Sequence, residues 1–232
     1  MHPLDKTARV AGFFYLLVVI TGFFTIMYAP GKLFVGEDAT AVASNILAHQ
    51  SLFRVNIVIS VFSELCFIAT VLALYRLLQG AGPQLAGAMV LLVLLGAPLA
   101  FAGIANELAT LTFLRGGDFL AAFDKPQRDA LAIMLIHLNG QADIVSQIFW
   151  GLWLLPFGLL VYRSGFLPRF LGVWLVVNGL AYVVLSGTEL FLPEILKTVS
   201  RIVFPILLGE VAFTLWLLIA GVRAPAPPVA AS

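Results

Sequence analysis

Charged side chains are scarce in this chain of 232 residues. Only 11% of the residues are Asp, Glu, Lys or Arg, whereas 61% are hydrophobic. Soluble globular domains carry roughly 25% charged and about 45–50% apolar residues. Because so few charges cannot cover a water-facing surface, the composition excludes a soluble domain and indicates an integral membrane protein.

Cysteine, net charge and known catalytic motifs are also lacking. Cys66 is the one cysteine, which excludes a disulfide scaffold. The formal net charge is +1, so the chain has no basic field of the kind that binds nucleic acid. The sequence contains no H-E-x-x-H, E-x-x-H or G-x-S-x-G motif and no glycine-rich phosphate loop. We therefore predict no cofactor and no nucleic-acid partner, and we assign no catalytic residue or metal ligand.

Long apolar runs dominate the sequence instead. A helix needs about 20 predominantly apolar residues to cross a hydrocarbon core of roughly 30 Å. Six runs are long enough, and they show no period-2 alternation of the kind found in β-barrel strands. We predict an all-α integral membrane bundle of six transmembrane helices, forming a single domain over residues 1–222, with a Pro/Ala-rich disordered tail at 223–232. The predicted spans are 10–29, 52–78, 85–114, 130–162, 167–185 and 202–222.

Arginine recurs where spans two, four and six end, at Arg76, Arg163 and Arg223. Basic residues close to span ends mark cytoplasmic segments, so we expect both termini to be cytoplasmic. Two explanations of the recurrence stay open. One is a threefold repeat of helical hairpins, and the other is the general tendency of cytoplasmic span ends to carry arginine.

The connecting segments contain helix and turn signals. Asp38 is a predicted N-cap for a short helix with Val42 and Ile46 on one face. This helix either lies in the membrane interface or is an N-terminal extension of span two. Pro193 and residues 194–197 indicate another short helix before span six, and residues 80–83 predict a tight turn between spans two and three.

Four acidic residues fall inside the predicted spans: Glu64, Glu107, Asp143 and Glu210. No lysine or arginine lies deep in a span to pair with them. A buried carboxylate without a partner is costly, so each must be protonated, hydrated, hydrogen-bonded or bound to a cation. At about 1.5 Å per helical residue, all four are expected between the bilayer midplane and the outer face.

Further polar side chains accompany these acids. Span four carries a polar run before its apolar part, and spans three and five each add an asparagine. We predict that the polar groups line a cavity open toward the outer face, where a small polar or cationic solute or a lipid binds or is transported. The predicted ligand-binding residues are Glu64, Asn106, Glu107, His137, Asp143, Gln147, Asn178 and Glu210.

Two other functions fit the same polar groups. In a membrane-embedded enzyme, His137 and carboxylates from several helices would together hold a metal ion. In a structural or partner-binding protein, the polar groups would instead form interhelical hydrogen bonds and leave no cavity. The oligomeric state is not indicated by any feature of the sequence.

Several short stretches also occur together in a known family. They are RVAG at 9–12 with YL at 15–16, ASNIL at 43–47 followed by LFR at 52–54, LYRLL at 74–78, YRSGFLPRFLG at 162–172, and GE at 209–210 with LWLL at 215–218. In this order they resemble the bacterial multi-spanning membrane family filed as "domain of unknown function 4386". The resemblance implies a multi-pass protein of the bacterial inner membrane, surrounded by lipid. It implies no reaction, no ligand and no functional residue.

Overall fold

The structure is a computed structural model that describes residues 3–36 and 38–222. The described chain is almost entirely helical, without a strand. Six of its helical segments are long and apolar enough to cross a membrane: Leu4–Leu33, Gln50–Ala81, Pro83–Arg115, Lys125–Arg163, Arg169–Phe191 and Pro193–Ile219. This result confirms the predicted all-α architecture with six membrane spans. The predicted disordered tail at 223–232 lies outside the described residues.

Helices and short helical turns follow one another with few interruptions. The α-helices are α1 (Pro3–Gly22), α2 (Ala29–Leu33), α3 (Ala39–Ala48), α4 (Gln50–Leu78), α5 (Pro83–Arg115), α6 (Lys125–Arg163), α7 (Arg169–Phe191) and α8 (Leu196–Ile219). A π-helical segment, Phe23–Tyr28, joins α1 to α2. The 3-10 turns are Gln79–Ala81, Asp118–Leu120 and Pro193–Ile195. The first of these turns confirms the predicted tight connection between spans two and three.

The first span continues past the point where the sequence predicted its end. Pro30 does not end the helix. It lies within α2, which continues to Leu33. In a regular α-helix the proline ring would press against the carbonyl of Ile26, four residues earlier. The wider π-helical turns that precede Pro30 account for the continuation.

The short helix after Asp38 is a separate element. The Asp38 Oδ1 atom accepts a hydrogen bond of 2.7 Å from the Ala41 backbone N–H, as expected of an N-cap. Helix α3 then ends at Ala48, and α4 begins at Gln50. This break excludes the alternative that the segment simply extends span two.

The last span is displaced toward the N-terminus relative to the prediction. The short helix predicted around residues 194–197 is a single 3-10 turn that leads directly into α8 at Leu196. At the other end, Gly221 has a φ of +63°. Its N–H and that of Ala220 both bond to the Trp216 carbonyl, at 3.0 and 2.9 Å. A left-handed glycine of this kind ends a helix, which is why α8 stops at Ile219.

The described chain divides into two compact units. We call residues 3–16, 67–95 and 147–222 the α7/α8 unit, because they contain both of those helices entirely. The remaining segments, 17–36, 38–66 and 96–146, form the α3 unit. Helices α1, α4, α5 and α6 each contribute one end to each unit.

Aromatic rings and closely packed glycines form the interior of the α7/α8 unit. The Trp153 ring stacks on Phe157 with centroids 5.1 Å apart, and Phe157 meets Phe213 edge to face at 4.9 Å. A Cβ atom built on Gly158 would lie 2.6 Å from the Gly172 carbonyl oxygen. Helices α6 and α7 therefore approach so closely that only glycine fits at this contact.

The α3 unit has its own buried cluster. Ala43 and Ile46 of α3 pack with Leu33, Phe53 and further apolar residues of α4, α5 and α6. The Asn45 side-chain amide donates to the carbonyls of Lys32 and Leu33, both at 2.8 Å. Helix α3 therefore satisfies the carbonyls that would otherwise be unpaired at the end of α2.

Candidate functional site

The four carboxyl groups inside the predicted spans are divided between the two compact units. Glu210 belongs to the α7/α8 unit, whereas Glu64, Glu107 and Asp143 belong to the α3 unit. Glu64, Glu107 and Glu210 form no ion pair with a Lys, Arg or His of the described chain. The ion pairs Arg9–Asp5 and Lys125–Asp129 lie near helix ends instead.

Glu210 is held by phenol groups from two other helices. Tyr15 of α1 is only 2% exposed, and its hydroxyl donates a hydrogen bond to Glu210 Oε2. Tyr182 of α7 is a second hydrogen-bond partner of the same carboxyl group. The Trp153 ring packs against Tyr15, and the Trp150 ring packs against Tyr182. The carboxyl group is therefore positioned by neutral donors that the aromatic core keeps in place.

Asn178 adds an unpaired acceptor to this cluster. Its side chain is fully buried, and its amide donates to the Leu207 carbonyl at 3.3 Å. Its own oxygen, Oδ1, has no hydrogen-bond partner within the described chain. Asn178 lies one turn before Tyr182 on α7, and Leu207 lies one turn before Glu210 on α8, so these groups share one contact face. We call Tyr15, Asn178, Tyr182 and Glu210 the Glu210 cluster.

A similar arrangement occurs around Glu107 in the α3 unit. Asn56 is 3% exposed, and its amide nitrogen lies 3.4 Å from both carboxylate oxygens of Glu107. The Asn56 oxygen, Oδ1, again has no partner in the described chain. Asp143 is close enough to interact electrostatically with Glu107. The Glu107 carboxyl group therefore lies near a second acid and beside an unpaired carbonyl oxygen, and it forms no ion pair in the described chain.

Glu64 lies in the same unit and has fewer contacts. Its carboxyl group is partly buried and makes no hydrogen bond or ion pair within the described residues. The adjacent Ser63 accepts a hydrogen bond of 2.8 Å from the Thr21 hydroxyl. Thr21 lies just before the π-helical segment, a kind of element found frequently at functional sites.

The remaining predicted residues differ in exposure. Asn106 and Gln147 are partly buried, and His137 and Asp143 are exposed. In terms of the two units, Asn106, His137 and Asp143 belong to the α3 unit, and Gln147 and Asn178 to the α7/α8 unit. The shared outer-facing cavity stays a prediction.

The residues that position the carboxyl groups were not predicted from the sequence. Tyr15, Asn56 and Tyr182 were not candidates, although each is in direct contact with a predicted residue. Tyr182 could have been suspected from its spacing of one turn from Asn178. Asn56 and Tyr15 carry no such local signal, because their partners lie on other helices.

No group of three or more His, Cys, Asp or Glu side chains in the described chain could hold a metal ion. The alternative of a metal-dependent enzyme stays a prediction. A binding site for a small organic cation needs no metal ligands, because hydrogen-bond acceptors and a carboxyl group are sufficient.

Comparison with known proteins shows the family of the chain. No match was found among curated proteins or among solved structures. The profile of the family DUF4386, described as a domain of unknown function, matches residues 10–221. This range includes Glu64, Glu107, Asp143 and Glu210 and the two buried asparagines described above. The chain belongs to the DUF4386 family.

Proposed function

We propose that the protein binds a small cationic, hydrogen-bond-donating solute at the carboxyl groups within its spans. One observation carries the proposal. In the α3 unit, buried Asn56 leaves its carbonyl oxygen unpaired beside the Glu107 carboxyl group. In the α7/α8 unit, buried Asn178 leaves its carbonyl oxygen unpaired one helical turn from Tyr182, which bonds to Glu210. Neither carboxyl group has a basic partner in the described chain. A buried acceptor without a donor costs about 1–3 kcal/mol, so a solute that supplies the donor is favoured at such a place.

The chemistry of these groups selects the class of solute. Carboxylate and amide oxygens accept hydrogen bonds, and an ammonium or guanidinium group supplies both donors and positive charge. The hydroxyls of Tyr15 and Tyr182 already form hydrogen bonds with the Glu210 carboxyl group, but the Asn178 oxygen still lacks a donor. A neutral solute of the same shape would meet the acceptors but would leave the carboxyl charge without compensation.

The basic residues at the ends of spans indicate the location and orientation of the protein. We propose that the protein lies in the cell membrane with cytoplasmic termini, because Arg76 and Arg163 stand at the ends of α4 and α6. Movement of the bound solute across the membrane is part of the proposal, since carboxyl groups inside spans commonly mark solute pathways. Uptake by proteoliposomes separates transport from binding alone.

Ligand-dependent thermal stabilisation tests the proposal. The purified full chain in zwitterionic nanodiscs is melted with ethanolamine, putrescine, choline or guanidinium, each compared with a neutral analogue of similar size. We expect at least one cation to raise the unfolding temperature, Glu107→Gln or Glu210→Gln to reduce the effect of that cation, and the variant with both changes to abolish it. Asp118→Asn is the matched control, because it removes an exposed acid outside the spans.

Two results would contradict the proposal. One is equal stabilisation by the cations and their neutral analogues. The other is a cation effect that persists when Glu64, Glu107 and Glu210 are all changed to glutamine. A shift that survives in Asp118→Asn, decreases in each single glutamine variant and disappears in the variant with both changes supports it.

A further inference from the structure

An open groove with a volume of about 630 Å³ lies at the beginning of α8, and none of the four carboxyl groups lines it. It belongs entirely to the α7/α8 unit. The residues lining it are Pro193, Leu196, Lys197, Ser200, Arg201 and Phe204. Its composition is unusual for this protein, because cations and a hydroxyl share one surface with large apolar groups.

The groove carries two positive charges. Lys197 and Arg201 are exposed, and neither forms an ion pair within the described chain. They are separated by one helical turn, so both can reach the same anion. Ser200 provides a hydroxyl donor beside them. Together these groups match a phosphate, which carries negative charge and several acceptor oxygens.

The apolar part of the groove continues along the helix. Leu196 and Phe204 lie one turn on either side of Ser200, and Phe204 is 58% exposed. Because the groove stands at the beginning of a membrane span, its cations are expected at the lipid headgroups, and Phe204, which lies deeper in the span, is expected at the acyl chains. A free phosphate ion would use the cations but not Phe204.

We infer that this groove binds one anionic phospholipid. Lys197, Ser200 and Arg201 contact the phosphate of the headgroup, and an acyl chain lies against Phe204. The complementarity of charge and of apolar surface carries the assignment. The inference is independent of the proposed function, because none of the residues on which that proposal rests lines the groove.

Lipid retention by the purified chain tests the inference. The full chain is delipidated in non-ionic detergent and titrated with phosphatidylglycerol or phosphatidylcholine, and the bound lipid is counted by mass spectrometry of the intact complex. We expect one phosphatidylglycerol to bind more tightly than any phosphatidylcholine. Lys197→Ala or Arg201→Ala should weaken its binding about fivefold, and the double variant roughly thirtyfold.

A second pair of cations provides the matched control. Lys32 and Arg115 are also exposed at the ends of spans, so Lys32→Ala with Arg115→Ala removes the same charge elsewhere. Binding should change less than twofold in this control. The exchange Lys197→Arg with Arg201→Lys keeps both charges and should retain the lipid, which guards against a misfolded alanine variant.

Three results would overturn the inference. The control pair could weaken binding as much as the groove pair, which would show that only overall charge matters. Phosphatidylcholine could bind as tightly as phosphatidylglycerol. Inorganic phosphate at millimolar concentration could displace the lipid completely, which would assign the groove to a free anion instead.

Discussion

The hydroxyl of Tyr15 donates a hydrogen bond to the carboxyl group of Glu210, which is 195 positions later in the chain. The contact joins the first long helix to the last one within the α7/α8 unit. Both partners lie inside candidate membrane spans, where water is not at hand to replace a lost partner. The contact is therefore both a structural link and a way of orienting the carboxyl group.

Tyr15→Phe tests this link directly, because it removes the hydroxyl and keeps the ring. Loss of a hydrogen bond to an acidic group should reduce the free energy of unfolding by about 1.5–3 kcal/mol. Thermal unfolding in detergent measures the change. Tyr28→Phe is the control, since Tyr28 is 48% exposed, and it should stay within about 0.5 kcal/mol of the wild type. Equal stability of the two variants would argue against the link.

Asn56 and Glu107 form a hydrogen-bonded pair, so the cost of replacing one residue depends on whether the other is present. Asn56→Leu should reduce the free energy of unfolding by about 1–3 kcal/mol, because it leaves the Glu107 carboxyl group without its amide donor. Adding Glu107→Leu should restore most of the loss, since replacing both polar partners by apolar groups is nearly neutral. A double-mutant cycle on unfolding midpoints measures the coupling. Strictly additive losses would contradict the pairing.

Gly209 determines how closely α8 approaches α7. A Cβ atom at this position would lie 2.8 Å from Cδ1 of Trp174, whose indole N–H donates to the Ile206 carbonyl at 2.9 Å. Gly209→Ala should therefore cost about 1–3 kcal/mol through overpacking. Gly187→Ala meets nothing within 4 Å, and this control should be neutral or slightly stabilising because alanine favours the helix. Unfolding midpoints that rank the two variants in the opposite order would refute the close contact.

Asn45 holds the end of α2 against α3 through two carbonyl contacts. Asn45→Ala should leave the carbonyls of Lys32 and Leu33 without these donors and loosen both short helices. Hydrogen exchange followed by mass spectrometry should show faster exchange confined to residues 29–48. Ser44→Ala, at an exposed neighbouring position, should leave the exchange unchanged. Unchanged exchange in Asn45→Ala would show that other packing holds this segment.

Much of the architecture could be predicted because the bilayer imposes a simple requirement on local sequence. Each span needs a long apolar run, and these runs are visible without any knowledge of partners. The N-cap at Asp38 was equally visible, since its side chain bonds to a backbone group three residues away. The end of the first span was misplaced, because the π-helical turns that accommodate Pro30 leave no compositional signal. The last span was misplaced at its start, because Lys197 and Arg201 lie inside the helix although they are charged.

The surroundings of the carboxyl groups could not be predicted in the same way. Composition alone identified Glu107 and Glu210 as acids within spans. It could not show that Asn56 and Tyr15 contact them, because helix rotation and close packing of distant segments create these pairs. The positions of spans depend on hydrophobicity, a property of each segment by itself. The partners of the buried polar groups depend on which faces of the helices meet, and that is a property of the folded chain.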